Sequence, residues 1–182
     1  MIYFDNSATS YPKSSAALRR QYEFYSCCGN GGRGGYRLAQ NASEAVFEAR
    51  EKLAGVFGCK SENVVFCHTA TCGINIAIKG LVKPHTKVVC SDLEHNSVMR
   101  PLKKLEADGI IKVESFRTDR WSDRRTIDSF LKVLTPGTSL VVITHASNIC
   151  GQILPIEQLA AAAHAEKALC IVDASQSGGY VD

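Results

Sequence analysis

The pattern of apolar and polar positions predicts two helices in the first third of the chain. After a polar arm, residues 14–25 form the first helical segment, and a glycine-rich stretch from Gly29 to Gly35 separates it from a longer one. In the longer segment, apolar residues recur at steps of three and four between Leu38 and Val56, which is the period of one helix face. We therefore expect residues 1–35 to form an arm, a helix and a loop, and residues 36–182 to belong to a larger domain.

Beyond this helix, short runs of β-branched and apolar residues alternate with helical segments. The predicted strands are residues 64–66, 87–90, 110–113, 140–143 and 170–172. The predicted helices are residues 73–81, 97–107, 126–134 and 155–167. Strands that alternate with helices are typical of βαβ units. The predicted fold class is therefore α/β, with a mostly parallel sheet and helices on both of its faces.

Charge and composition argue against several function classes. The 21 lysine and arginine residues nearly balance the 18 aspartate and glutamate residues, so no nucleic-acid partner is expected. No apolar run approaches membrane-spanning length, and the N-terminus lacks the pattern of a signal peptide. The 8 cysteines include no CxxC pair, so zinc-site spacing is absent and no metal site is expected. They lie mostly in apolar segments, which favours reduced thiols and a cytoplasmic protein.

Polar residues follow four of the predicted strands at the points where the strands end. Residues 69–71 follow the first strand, residues 94–96 the second and residues 147–148 the fourth, while Asp173 closes the fifth and Gln176 lies one turn later. In open α/β sheets, ligands bind outside the carboxyl ends of the strands. We therefore expect these residues to converge at one edge of the sheet.

Each of these residues also has an ordinary structural explanation. The turn at Thr69 offers unpaired N–H groups as a phosphate cradle, but a threonine before a helix is more often an N-cap. Asp173 is costly as a buried anion unless it meets a cation or several donors, and the alternative is an aspartate that caps the next helix. His95 alone is more often a polar surface residue. Asn148 and Gln176 are neutral groups that can hold a phenolic oxygen.

Taken in order, several motifs resemble one known family. They are YFDNSAT at residues 3–9, residues 66–75, Glu94-His95, THASN at residues 144–148 and VDASQS at residues 172–177. These motifs are similar to the blocks of cysteine desulfurases and class V aminotransferases, and they cover essentially the whole chain. The resemblance implies part of the large domain of a fold-type I enzyme that uses pyridoxal 5′-phosphate.

The resemblance also implies which residues hold this cofactor. Ala70 and Thr71 would contact its phosphate group, and Asn148 and Gln176 would hydrogen-bond the O3′ side of its ring.

Two further residues have implied catalytic roles. His95 would stack on the pyridine ring, and Asp173 would pair with the ring nitrogen. A protonated ring nitrogen lets the cofactor accept the electron pair that a substrate releases.

The family's Schiff-base lysine and small C-terminal domain have no counterpart in this sequence, since no lysine follows Asp173. The chain as given is therefore expected to be a truncated, inactive fragment. In full-length form, the resemblance implies a desulfurase that converts L-cysteine to alanine and enzyme-bound sulfur. It also implies a homodimer and a sulfur-acceptor protein as partners.

Two other interpretations stay open, and a third fails on its context. Selenocysteine lyase or another class V aminotransferase-like activity would use the same cofactor. A non-catalytic interaction module would explain the missing lysine. Residues 29–34 formally fit the GxGxxG fingerprint of nucleotide-binding oxidoreductases, but a helical pattern precedes them where the fingerprint requires a strand.

Overall fold

The computed structural model describes residues 2–181, and its internal contacts divide the chain into two units at about residue 66. The first unit contains helix α1 (Ser15–Cys27), helix α2 (Arg37–Phe57) and a short 3-10 helix (Ser61–Asn63). Helix α2 ends at Gly58, whose φ of 60° is left-handed and whose N–H group bonds to the Ala54 carbonyl. Glycine adopts this conformation without a steric penalty. The two predicted helices of this region are confirmed.

The second unit is built on a four-stranded parallel sheet. Its strands are β1 (Thr86–Ser91), β2 (Ile111–Phe116), β3 (Thr138–Thr144) and β4 (Leu169–Asp173), and their order across the sheet is β2-β1-β3-β4. Helix α3 (Ala70–Leu81) precedes β1, and the helices between the strands are α4 (Asn96–Ala107), α5 (Asp123–Val133) and α6 (Ile156–Ala165). Because all three strand pairs are parallel, the carboxyl ends of the strands lie at the same edge.

Apolar side chains cover both faces of this sheet. On one face, Val88 and Leu140 pack with Ile78 of α3 and Leu102 of α4. On the other face, β1 and β3 pack against Phe130 of α5 and Leu159 of α6. Strands that are buried on both faces are continuous apolar runs, which is the pattern in β1 and β3. The predicted α/β fold with helices on both faces is confirmed.

The strand predicted at residues 64–66 is wrong. These residues have no ladder partner among residues 2–181, and Val65 and Phe66 are 74% and 49% exposed. A β-branched run indicates only that the backbone favours an extended conformation, whereas a strand also needs a neighbour for its N–H and C=O groups. The other four predicted strands are confirmed.

Two helices begin three residues earlier than their apolar patterns predict. Helix α3 begins after Thr69, whose hydroxyl accepts a hydrogen bond from the Cys72 N–H group. Helix α5 begins after Ser122, which accepts a bond from the Arg125 N–H group in the same way. Hydroxyl side chains at the N-cap extend a helix by a polar turn that hydrophobic periodicity does not detect.

Candidate functional site

Three of the predicted site residues follow adjacent strands at the carboxyl edge of the sheet. His95 lies in the connection after β1, Asn148 follows β3, and Asp173 is the last residue of β4. Since β3 lies between β1 and β4, these three positions are neighbours along one edge. This is the edge where open parallel sheets bind ligands.

Asp173 is a buried carboxylate whose position is set by both backbone and side chain. It is 6% exposed and pairs in register with Thr144 of β3, while its carbonyl oxygen accepts a 2.9 Å bond from the His145 N–H group. The Ser175 N–H group and hydroxyl both donate to Oδ1, at 3.0 and 2.5 Å. Both of these bonds engage Oδ1. A buried carboxylate is stable only with such partners.

His95 is exposed, but the orientation of its ring is set by Ser97. The residue is the N-cap of α4, and its Nδ1 atom accepts a 3.1 Å bond from the Ser97 N–H group. The Ser97 hydroxyl lies 2.9 Å from the same nitrogen. In the neutral ring, accepting at Nδ1 assigns the proton to Nε2. The ring therefore has a defined direction while its faces remain accessible.

A groove between α3 and α4 connects His95 with Thr71. It has a volume of about 550 Å³, and both residues line it together with Asn75 and Arg100. Asn75 joins the two helices, since its side-chain amide donates to the Thr71 carbonyl at 2.9 Å and to the Ser97 carbonyl at 3.4 Å. The start of α3 and the start of α4 therefore share one concave surface.

The start of α3 has the features of an anion-binding helix terminus. Thr69 is the N-cap, and it takes up the Cys72 and Gly73 N–H groups through its hydroxyl and carbonyl, both at 3.1 Å. The N–H groups of Ala70 and Thr71 precede the first intrahelical bonds, at the positive end of the helix dipole. Thr69 is thus the cap of α3, while the backbone N–H groups of Ala70 and Thr71 suit a phosphate group.

Asn148 and Gln176 lie in turns that follow β3 and β4. Asn148 is exposed in a turn that Ser147 holds, because the Ser147 hydroxyl accepts bonds from the N–H groups of Ile149 and Cys150. Gln176 is half-buried in the turn after Asp173. Both are on the predicted edge, and their contact with a ring oxygen stays a prediction.

Glu94 is a half-buried residue with a buried carboxyl oxygen, and no role in the site was predicted for it. Its Oε1 atom accepts bonds from the Ser91 hydroxyl at 2.5 Å and the Thr144 N–H group at 2.8 Å, while its buried Oε2 atom has no partner among residues 2–181. Burial raises the pKa of Glu94 to about 7, and the nearby charge of Asp173 adds to the rise. The sequence signal for it was its place directly before His95, in a turn that ends a buried strand.

The described part of the chain contains neither a group of metal-ligating side chains nor a helix suited to span a membrane. Residues 2–181 contain no cluster of three His, Cys, Asp or Glu side chains placed to hold a metal ion. None of the helices within the same residues is both long and apolar enough to cross a bilayer.

Known proteins are similar in sequence to this chain over its full length. A family model described as aminotransferase class-V matches residues 2–180. The chain is 31% identical over 184 residues to a probable cysteine desulfurase of Methanothermobacter thermautotrophicus, covering 100% of this chain and 45% of that protein. It is 33% identical over 189 residues to the cysteine desulfurase IscS of Tolumonas auensis, covering 100% and 46%. The chain thus spans about half the length of the curated relatives it matches.

Solved structures share its fold. The apo structure of a cysteine desulfurase from Thermococcus onnurineus NA1 matches with a TM-score of 0.87 at 31% identity, covering 98% of this chain and 45% of that one. The structure of SspA in complex with cysteine matches with a TM-score of 0.84 at 27% identity, covering 97% and 51%. These likenesses confirm the predicted fold class, and with the family match over residues 2–180 they show that the chain belongs to the class-V aminotransferase family.

Proposed function

We propose that the whole protein is a cysteine desulfurase that binds pyridoxal 5′-phosphate at the carboxyl edge of the sheet. The observation that carries this proposal is the buried carboxylate of Asp173 at the end of β4, in a chain of the class-V family. Relatives at 31% and 33% identity are named as cysteine desulfurases, which supports this activity over others in the family.

The residues at this edge fit the chemistry of the cofactor. A protonated ring nitrogen is a donor that would satisfy Asp173, because the bonds from Ser175 engage only Oδ1. The amides of Ala70 and Thr71 at the start of α3 suit a phosphate group. The Ser177 hydroxyl, one turn after Asp173, is buried without a partner among the described residues and is a further polar group for a ligand.

When bound, pyridoxal phosphate supplies an electron sink for the bonding pair that leaves the substrate α-carbon. The residues of this chain would make that sink effective. Asp173 would hold the proton on the ring nitrogen, and His95 would pack on one face of the ring and exclude water from it. The oriented ring of His95 supports this role, since Ser97 holds its Nδ1 atom.

Two polar residues would complete the hold on the ring. Asn148 and Gln176 would hydrogen-bond its O3′ side from the turns after β3 and β4. Their place on the same edge as Asp173 supports these roles.

We also propose L-cysteine as the substrate and a sulfur-acceptor protein as the partner of the whole protein. A related structure, SspA at 27% identity, was solved in complex with cysteine, which supports the choice of substrate. We propose further that the whole protein is a homodimer in the cytoplasm. The eight free cysteines suit a reducing compartment.

The test is to load the whole protein with pyridoxal phosphate and to measure the alanine formed from L-cysteine, together with the sulfide that an added thiol reductant releases from the enzyme-bound sulfur. In the variant Asp173→Ala, the cofactor content should stay within about twofold, and turnover should fall at least about 100-fold because charge stabilisation at the ring nitrogen is lost. Asp128→Ala is the control, since Asp128 is an exposed partner of Arg124 on α5 and its loss should leave turnover unchanged.

Turnover of Asp173→Ala at the rate of the unchanged protein would overturn the ring-nitrogen role. Cofactor binding without any product from L-cysteine would instead favour another class V activity, and selenocysteine and amino-group acceptors are then the next substrates to assay. Absence of cofactor binding would favour an interaction module.

A further inference from the structure

The Glu94 side chain connects the ends of β1 and β3 beyond the last residue pair that these strands form with each other. Strands β1 and β3 pair in register up to Cys90 and Val142. Two residues further on, the Thr144 N–H group donates to Glu94 Oε1 at 2.8 Å. The Glu94 carboxyl group thus accepts the hydrogen bond of the Thr144 N–H group at the point where β1 and β3 no longer pair through their backbones.

The same carboxyl oxygen also holds the β1 side of this junction. It accepts a 2.5 Å bond from the hydroxyl of Ser91, the last residue of β1. Glu94 belongs to the turn that leads to His95, so this bond ties the turn to the strand that precedes it. Through these two bonds, Glu94 Oε1 connects β1, the turn after β1 and the end of β3.

Thr144 is also the residue through which β3 reaches Asp173. Thr144 and Asp173 are register partners, and the next N–H group along the chain, that of His145, donates to the Asp173 carbonyl at 2.9 Å. The path from His95 to Asp173 therefore runs through Glu94 and Thr144. Each link is either a covalent neighbour, a hydrogen bond or a ladder pair.

We propose that Glu94 is a positioning residue that sets the separation between His95 and Asp173. This inference rests on the proposed function, in which these two residues contact the face and the nitrogen of one rigid ring. A ring of fixed size requires a fixed distance between its two contacts, and a misplacement of about 1 Å is costly in such sites.

The burial of Glu94 indicates that its carboxyl group does more than fill space. Its Oε2 atom is buried without a partner among the described residues, which makes this side chain more costly than an apolar one of equal size. What an apolar side chain lacks is a directed acceptor for the Ser91 hydroxyl and the Thr144 N–H group. Glutamine retains that acceptor, whereas alanine removes it.

A matched control lies at the other end of α4. Glu106 Oε1 accepts a 2.8 Å bond from the Val113 N–H group of β2, so it also joins a side-chain carboxyl to a strand amide. Glu106 is remote from the carboxyl edge, because it lies in the last turn of α4, about three helical turns after His95. Loss of this bond should affect stability and leave the site geometry unchanged.

The experiment compares Glu94→Ala, Glu94→Gln and Glu106→Ala in the whole protein. Three quantities are measured: the dissociation constant for pyridoxal phosphate, the induced circular dichroism of the bound cofactor, and hydrogen exchange at the Thr144 amide without cofactor. Glu94→Ala should raise the dissociation constant about 10- to 100-fold, reduce the circular dichroism signal and speed Thr144 exchange at least about 10-fold. Glu94→Gln should stay within about threefold of the unchanged protein in all three, because its oxygen still accepts the bonds.

Two results would overturn the inference. One is an unchanged Thr144 exchange rate in Glu94→Ala, which would show that the bond does not hold the strand end. The other is equal loss of cofactor affinity and circular dichroism in Glu106→Ala, which would reduce Glu94 to a general stabilising role. If the unchanged protein binds no cofactor, the proposed function fails separately, and the Thr144 exchange rate still decides whether Glu94 connects the strands.

Discussion

The two units of the chain contrast in what they bury. In the first unit, α1 has no buried residue, and the buried residues of α2 are three alanines, Ala39, Ala42 and Ala54. In the second unit, two layers of large apolar side chains enclose the sheet, one on each face. Packing of large side chains is the main source of folding free energy. The second unit therefore has a core of its own, whereas the first unit has regular helices with little core.

The contrast also concerns chemistry. Every proposed site residue, from Ala70 to Gln176, lies in the second unit, either in the first turn of α3 or at the ends of β1, β3 and β4. The first unit instead exposes large apolar side chains along α2, such as Phe47, Val56 and Phe57. Sites with exact geometry are usually built on rigid elements. A well-packed sheet is thus a precondition for the site that we propose at its edge.

The largest effect that tests this contrast is the removal of one aromatic ring from each unit. Phe130 is fully buried and packs edge-on against Phe116 with 5.1 Å between ring centroids, whereas Phe47 is 54% exposed. Phe130→Ala should lower the free energy of unfolding by about 3–5 kcal/mol because it leaves a cavity. Phe47→Ala should change it by no more than about 0.5 kcal/mol. Urea unfolding of the 182-residue chain measures both.

An equal cost for the two variants would break the comparison. It would mean that the apolar side of α2 is covered in solution, and sedimentation of the chain at several concentrations would then show whether a second copy covers it.

The next effect is a pH dependence that belongs to the second unit alone. Burial raises the pKa of Glu94 from 4.5 to about 7, so the folded state binds this proton more tightly than the unfolded chain does. Stability from this group is present in full below pH 4.5 and is lost as the pH rises to about 7. The expected loss is on the order of 3 kcal/mol.

The matched variant for this measurement is Glu94→Gln, which removes the proton and keeps the shape. The titratable groups around Glu94 are Asp173, Cys90 and Cys170, and they remain in both proteins. The difference in unfolding free energy between the two proteins, followed from pH 4 to pH 8, should therefore isolate Glu94. A difference that stays constant over this range would contradict the raised pKa.

The smallest effect compares one exposed thiol from each unit. Hydrogen bonding with Ser147 lowers the pKa of Cys150, and the positive charge of Arg120 contributes to the shift. Cys59 of the first unit is exposed as well and serves as the reference. A thiolate is the reactive form, so iodoacetamide at pH 7 should label Cys150 about 3- to 10-fold faster than Cys59.

Ser147→Ala is the control for this rate. It removes the hydroxyl beside Cys150 and should bring the two labelling rates closer together. Mass spectrometry of the labelled peptides follows each cysteine separately, and a faster reaction at Cys59 in the unchanged protein would refute the expected order. Burial raises the pKa of Cys90 to about 12, so its labelling should report unfolding instead.

Local patterns were sufficient for most of the fold. The three- and four-residue spacing of α2 and the apolar runs of β1 to β4 identify their elements, because helix and strand periods arise from backbone geometry that is the same in every protein. The parallel arrangement followed from the alternation of strands and helices, since a helical crossover returns the chain to the end of the sheet from which the next parallel strand starts. For the same reason, the turns with His95, Asn148 and Asp173 could be assigned to one edge.

Long-range contacts account for what these patterns missed. Residues 64–66 have the composition of a strand and no neighbour to pair with, and a ladder partner is not a local property. Glu94 could be noticed in the sequence only as the neighbour of His95, and its raised pKa and its bond to Thr144, 50 residues away, arise because the ends of β1 and β3 meet beside it. The sequence determines which side chains follow each strand, and the packed sheet determines which of those side chains share a hydrogen bond, because desolvation and close contact exist only after the chain has folded.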